Sequence, residues 1–387
     1  MRSFCRLLPG IVCCWFGALA LSGRVTAADA PVRAKPTRPA TGKITSPLAT
    51  GLRIGGTEYV SVADLAAWLG LKSAWSDALH KLKLADPANA ANGAELNTES
   101  RDTLVNGRRV LLGTKTVLRG EKLYVSRIDA ERCLAPLLRP GMGVALPAPP
   151  RIIALDPGHG GKFPGTENKR LGLREQDLTL DVALRLGKLL EADGYQVVLT
   201  RTADLDLGPE LAMDWMQRSV MANRAGADLF VSIHFNSLFP DTKTTGSEVF
   251  TFPPQFQRSD QSWSDGVDDT EKDAAPVNRF DHWSAVLAGA MHRDLLKTLN
   301  TADRGKKLKH LAVLRGLNCP GVLVEAAFLS NEAEARRVAT PEFRQQIAVA
   351  LAAGVRDYAA TLDSLRATAQ PFPATSAAPP TTSPHHP

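Results

Sequence analysis

Arg151-Ile152-Ile153-Ala154-Leu155-Asp156-Pro157-Gly158-His159-Gly160-Gly161 is the stretch from which the fold is read. Ile152 to Leu155 form a short apolar run with β-branched residues, the mark of a buried strand, and Asp156-Pro157-Gly158 stops it with turn residues. His159 then stands between glycines on a loop at the carboxyl edge of that strand, the edge at which open α/β sheets hold their ligands. The glycines leave room beside the imidazole for a ligand or an ion.

Downstream the pattern alternates. Residues 175–193 carry Val182, Leu186, Leu189 and Leu190 at helical spacing, and Gly194 ends the helix. Strands are expected at 197–200, 229–233, 247–252 and 321–325, and helices at 210–225, 283–299 and 342–362. Strand and helix in alternation predict an α/β fold, a mainly parallel twisted sheet with helices on both faces. This catalytic-sized domain spans 151–363. Residues 253–279 form a polar, aromatic-dotted insertion within it.

Upstream, residues 51–138 read as a small α+β module, a binding or spacer domain. Tyr59-Val60-Ser61-Val62-Ala63-Asp64 returns as Tyr124-Val125-Ser126-Arg127-Ile128-Asp129, in each copy a strand running into a Ser-x-x-Asp helix start. Asn106-Gly107 between apolar runs predicts a hairpin. Residues 139–150 are a Pro-rich linker, 31–50 a flexible one, and 364–387 a Pro/Thr/Ser-rich disordered tail in which His385 and His386 have no role. Residues 1–30 read as a signal peptide: Arg2 and Arg6, an apolar stretch at 7–23 that is short for a span of about 20 residues, then small residues at Ala27, Ala28 and Ala30. The mature protein is expected to be exported, periplasmic or extracellular, with no membrane span. Three of the five cysteines go with that signal. Cys133 and Cys319 remain, as buried free thiols rather than a disulfide framework. A formal net charge of +6, scattered along 387 residues, excludes nucleic acid as the expected partner.

Four residues stand where elements end or begin: His159, Glu175 opening the first long helix, His234 closing Leu229-Phe230-Val231-Ser232-Ile233, and Glu325 closing Val322-Leu323-Val324. In a parallel sheet, three such strand ends meet at one edge. Each residue has a purely structural explanation too. Glu175 could complement a helix dipole, His234 could be a hydrogen-bonded core imidazole, and Glu325 could pair with an arginine. A polar residue ending a buried apolar strand is nonetheless costly unless paired or bound to metal, and here three strands do it. Two His and one Glu are a common protein ligand set for catalytic zinc, with the fourth position left for water. Glu325 would then be free to handle protons. The contiguous His-Glu-x-x-His signature is absent, so the set would be assembled from distant segments. From the residues alone the expectation is a zinc hydrolase of an amide or ester. Asn236 and Ser237 are expected to contact substrate or orient His234. Arg201 and Arg218 are expected in buried ion pairs, and His282, His292 and His310 at the surface or in the core.

Residues 151–362 closely resemble the zinc-dependent N-acetylmuramoyl-L-alanine amidases, the amidase type 3 family. The resemblance is carried by Leu155 to Gly161, by Arg174-Glu175-Gln176-Asp177-Leu178-Thr179-Leu180, and by Leu199-Thr200-Arg201-Thr202-Ala203-Asp204. It continues through Arg218 to Asn223, Ala227 to Ser237, Gly246-Ser247-Glu248-Val249, and Val324-Glu325 to Asn331. It implies that one Zn2+ is held by His159, Glu175 and His234, that Glu325 is the catalytic acid–base, and that the substrate is peptidoglycan. The bond cleaved would join N-acetylmuramic acid to L-alanine of the stem peptide. Gln176 and Ala327 depart from residues the family often has, Lys and Gly, outside the four-residue set. In some relatives an insertion like residues 253–279 blocks the zinc until an activator protein removes it. The resemblance therefore implies an activator as a partner, with the alternative that the segment contacts substrate or is decorative. The N-terminal module loosely resembles the copper amine oxidase N-terminal domain. Rival readings are a secreted zinc carboxypeptidase with the same ligands, and a wall-binding protein that has lost catalysis.

Overall fold

In a computed structural model of the chain, residues 46–260 and 269–368 are described. The signal peptide, most of the linker at 31–50 and the last part of the expected tail, with His385 and His386, lie outside the described residues. The described residues fall within one unit, Thr37–Pro387.

Strand Ile152–Pro157 forms on the expected apolar run but continues through Asp156 and Pro157, which pair with Ser232 and Ile233. It lies between Gln196–Leu199 and Leu229–Asn236, parallel to both. Leu229–Asn236 pairs in parallel with Gly321–Phe328, the register setting His234 opposite Glu325. On the far side of Gly321–Phe328, strand Ser247–Thr251 runs antiparallel and sets Glu248 opposite Glu325. The sheet is thus mixed, parallel at its centre. Its two faces sort by the alternation of side chains along a strand. Ile153, Leu155, Val231, Ile233, Val322 and Val324 pack under helices Glu175–Ala192, Asp281–Leu299 and Pro341–Thr368. Ala154, Phe230, Phe250 and Leu323 turn to the other face, where helices Leu211–Arg224 and Ala312–Arg315 supply Ala222, Val313 and Leu314. Helices therefore cover both faces. Cys133 and Cys319 are free and buried, as expected.

The N-terminal stretch forms the paired strands Thr57–Ser61 and Lys122–Ser126, and each runs into a helix capped by its serine. Asp64 N and Asp129 N donate to Ser61 Oγ and Ser126 Oγ, both at 3.0 Å. The Asn106-Gly107 hairpin also forms, with both residues at positive φ, as a tight two-residue turn demands. This stretch does not stand apart from the rest. Strand Arg108–Leu111 pairs with Asp303–Leu308 through Val110 and Lys306, so the hairpin strands extend the central sheet to eleven strands. The expected Pro-rich linker is packed as well. Val144 and Leu146 lie against the core, and Trp283 Nε1 donates to Ala145 O at 3.2 Å. The final helix runs to Thr368, past the expected start of the tail at 364, because Leu365 still packs against the core and Arg366 bonds to Pro147 O.

His282, expected at the surface or in the core, is buried, with Nε2 2.6 Å from Pro140 O. Burial, only partly offset by that bond, lowers its pKa to about 4 from an ordinary 6.5. The folded protein keeps this imidazole neutral while the unfolded chain lets it charge, so stability drains away as pH falls from about 6.5 towards 4. His282→Gln keeps a donor for Pro140. We expect it to remove about 2 kcal/mol of the stability lost between pH 7 and pH 5. Urea denaturation at both pH values checks this, and an unchanged pH dependence would contradict it.

Candidate metal centre and active site

His159 lies at φ +63°, a left-handed conformation that costs a non-glycine residue and is kept only where the surroundings impose it. Two buried arginines do so. Arg201 donates to Pro157 O (2.9 Å), Gly158 O (2.9 Å) and Gln176 O (2.7 Å), and Arg218 donates to Pro157 O (3.0 Å) and His159 O (3.0 Å). Arg218 is in the ion pairs expected of it, with Asp156 at 2.8 Å and Asp214 at 2.6 Å. Burial works against the charge on Asp156, but Arg218 and the hydroxyls of Thr200 and Ser232 hold its carboxyl below the ordinary range. Arg201 departs from expectation. Among the described residues its partners are backbone carbonyls and Thr179 Oγ1, not a carboxylate, and burial together with the neighbouring Arg218 lowers its pKa to about 10. Nothing in the sequence around Arg201 signals this, because carbonyl oxygens belong to every residue.

Glu175 opens its helix, and the residue is 3 % exposed. Oε1 accepts from Phe235 N at 3.0 Å and Oε2 from Thr166 N at 2.8 Å, which fixes the carboxylate plane. Oε1 also lies 3.3 Å from His159 Nε2 and 3.0 Å from His234 Nδ1. Burial raises the carboxyl's proton affinity, but the two imidazoles overcome it and hold the group well below the usual carboxylate range. Burial in turn lowers the pKa of His234 against the pull of Glu175. One ligand atom from each of His159, Glu175 and His234 lies within 4.8 Å of the others.

The surrounding backbone fits close to this group. A Cβ on Gly158 would come within 2.3 Å of the His234 ring, and one on Gly165 within 2.6 Å of both Glu175 Oε2 and the His159 ring, at φ +72°. Two imidazole nitrogens and one carboxylate oxygen, turned towards each other in a pocket that only glycine permits, match the protein donor set of a zinc site with an open position. The sequence-predicted residues His159, Glu175 and His234 thus converge from a loop, a helix start and a strand.

Glu325 sits one strand over, level with His234 and Glu248. It is partly buried, and its Oε2 has no hydrogen-bond partner among the described residues. Burial and the negative charges of Glu175 and Glu248 raise its proton affinity, while Lys309 opposes them. No arginine pairs with it among the described residues, which removes the structural explanation weighed above. Asn236 is engaged within the protein. Its Nδ2 donates to Glu248 and its Oδ1 accepts from Ser237 N at 2.8 Å, so the amide braces the strand end beside Glu325. His292 and His310 lie away from the cluster, His292 buried beside Asp303 and His310 at 3.1 Å from Asp269. The described ends of the 253–279 insertion are tied down by Gln257 near Ser126 and Thr114, and by Asp260 on Arg101. Asp260 also lies 3.8 Å from Lys307, whose Nζ pairs with Glu248 at 2.7 Å.

Residues 153–357 match the family model described as N-acetylmuramoyl-L-alanine amidase. The germination-specific N-acetylmuramoyl-L-alanine amidase of Bacillus subtilis is 30% identical over 223 residues, which cover 55% of this chain and 82% of that protein. N-acetylmuramoyl-L-alanine amidase AmiA of Escherichia coli is 30% identical over 236 residues, 56% of this chain and 79% of that protein. Among solved structures, the CwlD amidase of Clostridioides difficile, in complex with the GerS lipoprotein, is 28% identical with a TM-score of 0.45, covering 55% of this chain and 99% of that one. By its match to the family model over more than half its length, the chain belongs to the N-acetylmuramoyl-L-alanine amidase family and is an enzyme of that class.

Proposed function

We propose that the protein is an exported peptidoglycan hydrolase that uses one zinc ion and the Glu325 carboxylate to cleave the amide joining the lactyl group of N-acetylmuramic acid to L-alanine of the stem peptide. The observation that carries the reading is the convergence of three donor atoms, from His159, Glu175 and His234, with an unpartnered Glu325 oxygen one strand away. His159, Glu175 and His234 would hold the ion, and a zinc ion bound there supplies Lewis acidity, lowering the pKa of water to about 7 and polarising a carbonyl. Glu325 takes the proton of the attacking water as its oxygen adds to the amide carbon, then returns it to the departing nitrogen as the C–N bond breaks. The products are a lactyl carboxylate on the glycan and a stem peptide with a free L-alanine amine. The buried hydrogen bonds from Phe235 N and Thr166 N keep Glu175 from turning away, and Arg201 and Arg218 keep the His159 loop in its strained conformation.

Export is supported by the basic start and apolar stretch of the first thirty residues, and among the described residues no helix is long and apolar enough to cross a membrane. Mass spectrometry of purified sacculi digested with the full chain tests the bond assignment. Intact stem peptides beginning with free L-alanine are expected. Peptides shortened from their carboxyl ends would instead identify a carboxypeptidase, and an undigested wall a binding protein without catalysis.

A further inference from the structure

We propose that the seam between the N-terminal hairpin and the catalytic sheet holds a binding site for a small oxyanion such as inorganic phosphate, separate from the metal centre. A cavity of about 110 Å³ lies at this seam, lined among others by Asn106, Arg108, Leu137, His292, Arg293 and Lys306. It is built from both halves of the chain: the 106–107 turn and Leu137 from one, helix Asp281–Leu299 and strand Asp303–Leu308 from the other.

The charges on its wall are unbalanced. Lys306 is 2 % exposed, and its ammonium has no ion pair or hydrogen bond among the described residues. Arg108 donates to the Asn106 carbonyl at 3.0 Å and has no ion pair among the described residues either. Burial and the nearby Arg293 disfavour its charge, which Asp294 and Asp303 only partly support. The carboxylates close by are engaged elsewhere. Asp294 and Asp357 pair with Arg293, and Asp303 accepts from Arg109 N at 2.8 Å and faces His292 at 3.1 Å. The partly buried Asp281, which feels the Lys306 charge, accepts from Asn278 Nδ2 at 3.0 Å.

Two cations sharing one wall without a direct ion pair are costly to bury, and the cost is offset when an anion enters. A tetrahedral oxyanion suits the pair. It offers one oxygen to the compact ammonium and an edge of two to the planar guanidinium fork. Held there, it would bridge the hairpin to the strand beside it.

The test is calorimetric titration of the full-length, metal-loaded protein with inorganic phosphate at constant ionic strength, on wild type, Lys306→Met and Arg108→Gln. Neither residue takes part in the catalytic machinery, so retained amidase turnover certifies that a variant is folded. Arg108, at the edge of the cavity, carries the test should the core substitution fail to fold. One phosphate site is expected, weakened at least about tenfold by each substitution, as for loss of a charge-assisted hydrogen bond. Phosphate should also raise the thermal midpoint of the wild type and not of the variants. No binding at millimolar phosphate, binding that both folded variants retain in full, or equal stabilisation by chloride at matched ionic strength would each overturn the proposal.

Discussion

Replacing Glu325 by alanine should lower amidase turnover at least about 100-fold while the protein keeps its metal. General acid–base groups contribute about 10²- to 10⁴-fold, and here one carboxylate serves both the attack and the departure of nitrogen. The substitution removes no proposed ligand. The side chain sits between His234 and Glu248 in register and makes no hydrogen bond through Oε2, so little of the fold depends on it. The loss should fall on kcat more than on KM, since the interaction matters most in the transition state. Steady-state kinetics on soluble muropeptides, with metal content measured in parallel, checks this. Turnover within a few-fold of wild type would remove Glu325 from the mechanism.

The second large effect is expected at Glu175. Glu175→Gln preserves the size of the side chain but replaces one oxygen with an amide nitrogen. That nitrogen must face either Thr166 N, in the place of Oε2, or Phe235 N and the imidazoles of His159 and His234, in the place of Oε1. Either arrangement spoils an acceptor and removes the anionic ligand. Bound zinc should fall well below one equivalent, and turnover below about one hundredth of wild type, because Lewis-acid stabilisation worth several kcal/mol is lost with the ion. Elemental analysis after dialysis, read beside the rate, checks both parts. A variant that keeps one equivalent and full turnover would show that Glu175 is not a ligand.

His234 and Glu325 stood out as candidates because each interrupts an apolar run with a group that is costly to bury, although their strands run on past the expected ends, to Asn236 and Phe328. Glu175 at a helix start and His159 in a glycine loop stood out only by their place at the same edge. The central strands were legible as near-continuous apolar runs covered on both faces. Strand Asp303–Leu308 was not, since Arg304, Lys306 and Lys307 hide its alternation although Lys306 and Lys307 are buried. Without that strand, the joining of the hairpin to the central sheet could not be foreseen, for a backbone ladder leaves little trace in side-chain type. Arg201 escaped for a related reason, its partners being carbonyls. Gln257 did too: its neighbours Thr114 and Ser126 lie more than a hundred positions away along the chain.

The central claim is that one metal ion is gathered by residues distant in sequence. It is tested most directly by an anomalous-difference map from crystals of the protein grown with zinc. A single peak within bonding reach of His159 Nε2, His234 Nδ1 and the Glu175 carboxylate is expected, with Glu325 facing its open side. A zinc-loaded crystal whose only peak lies elsewhere, or none at these three side chains, would contradict it.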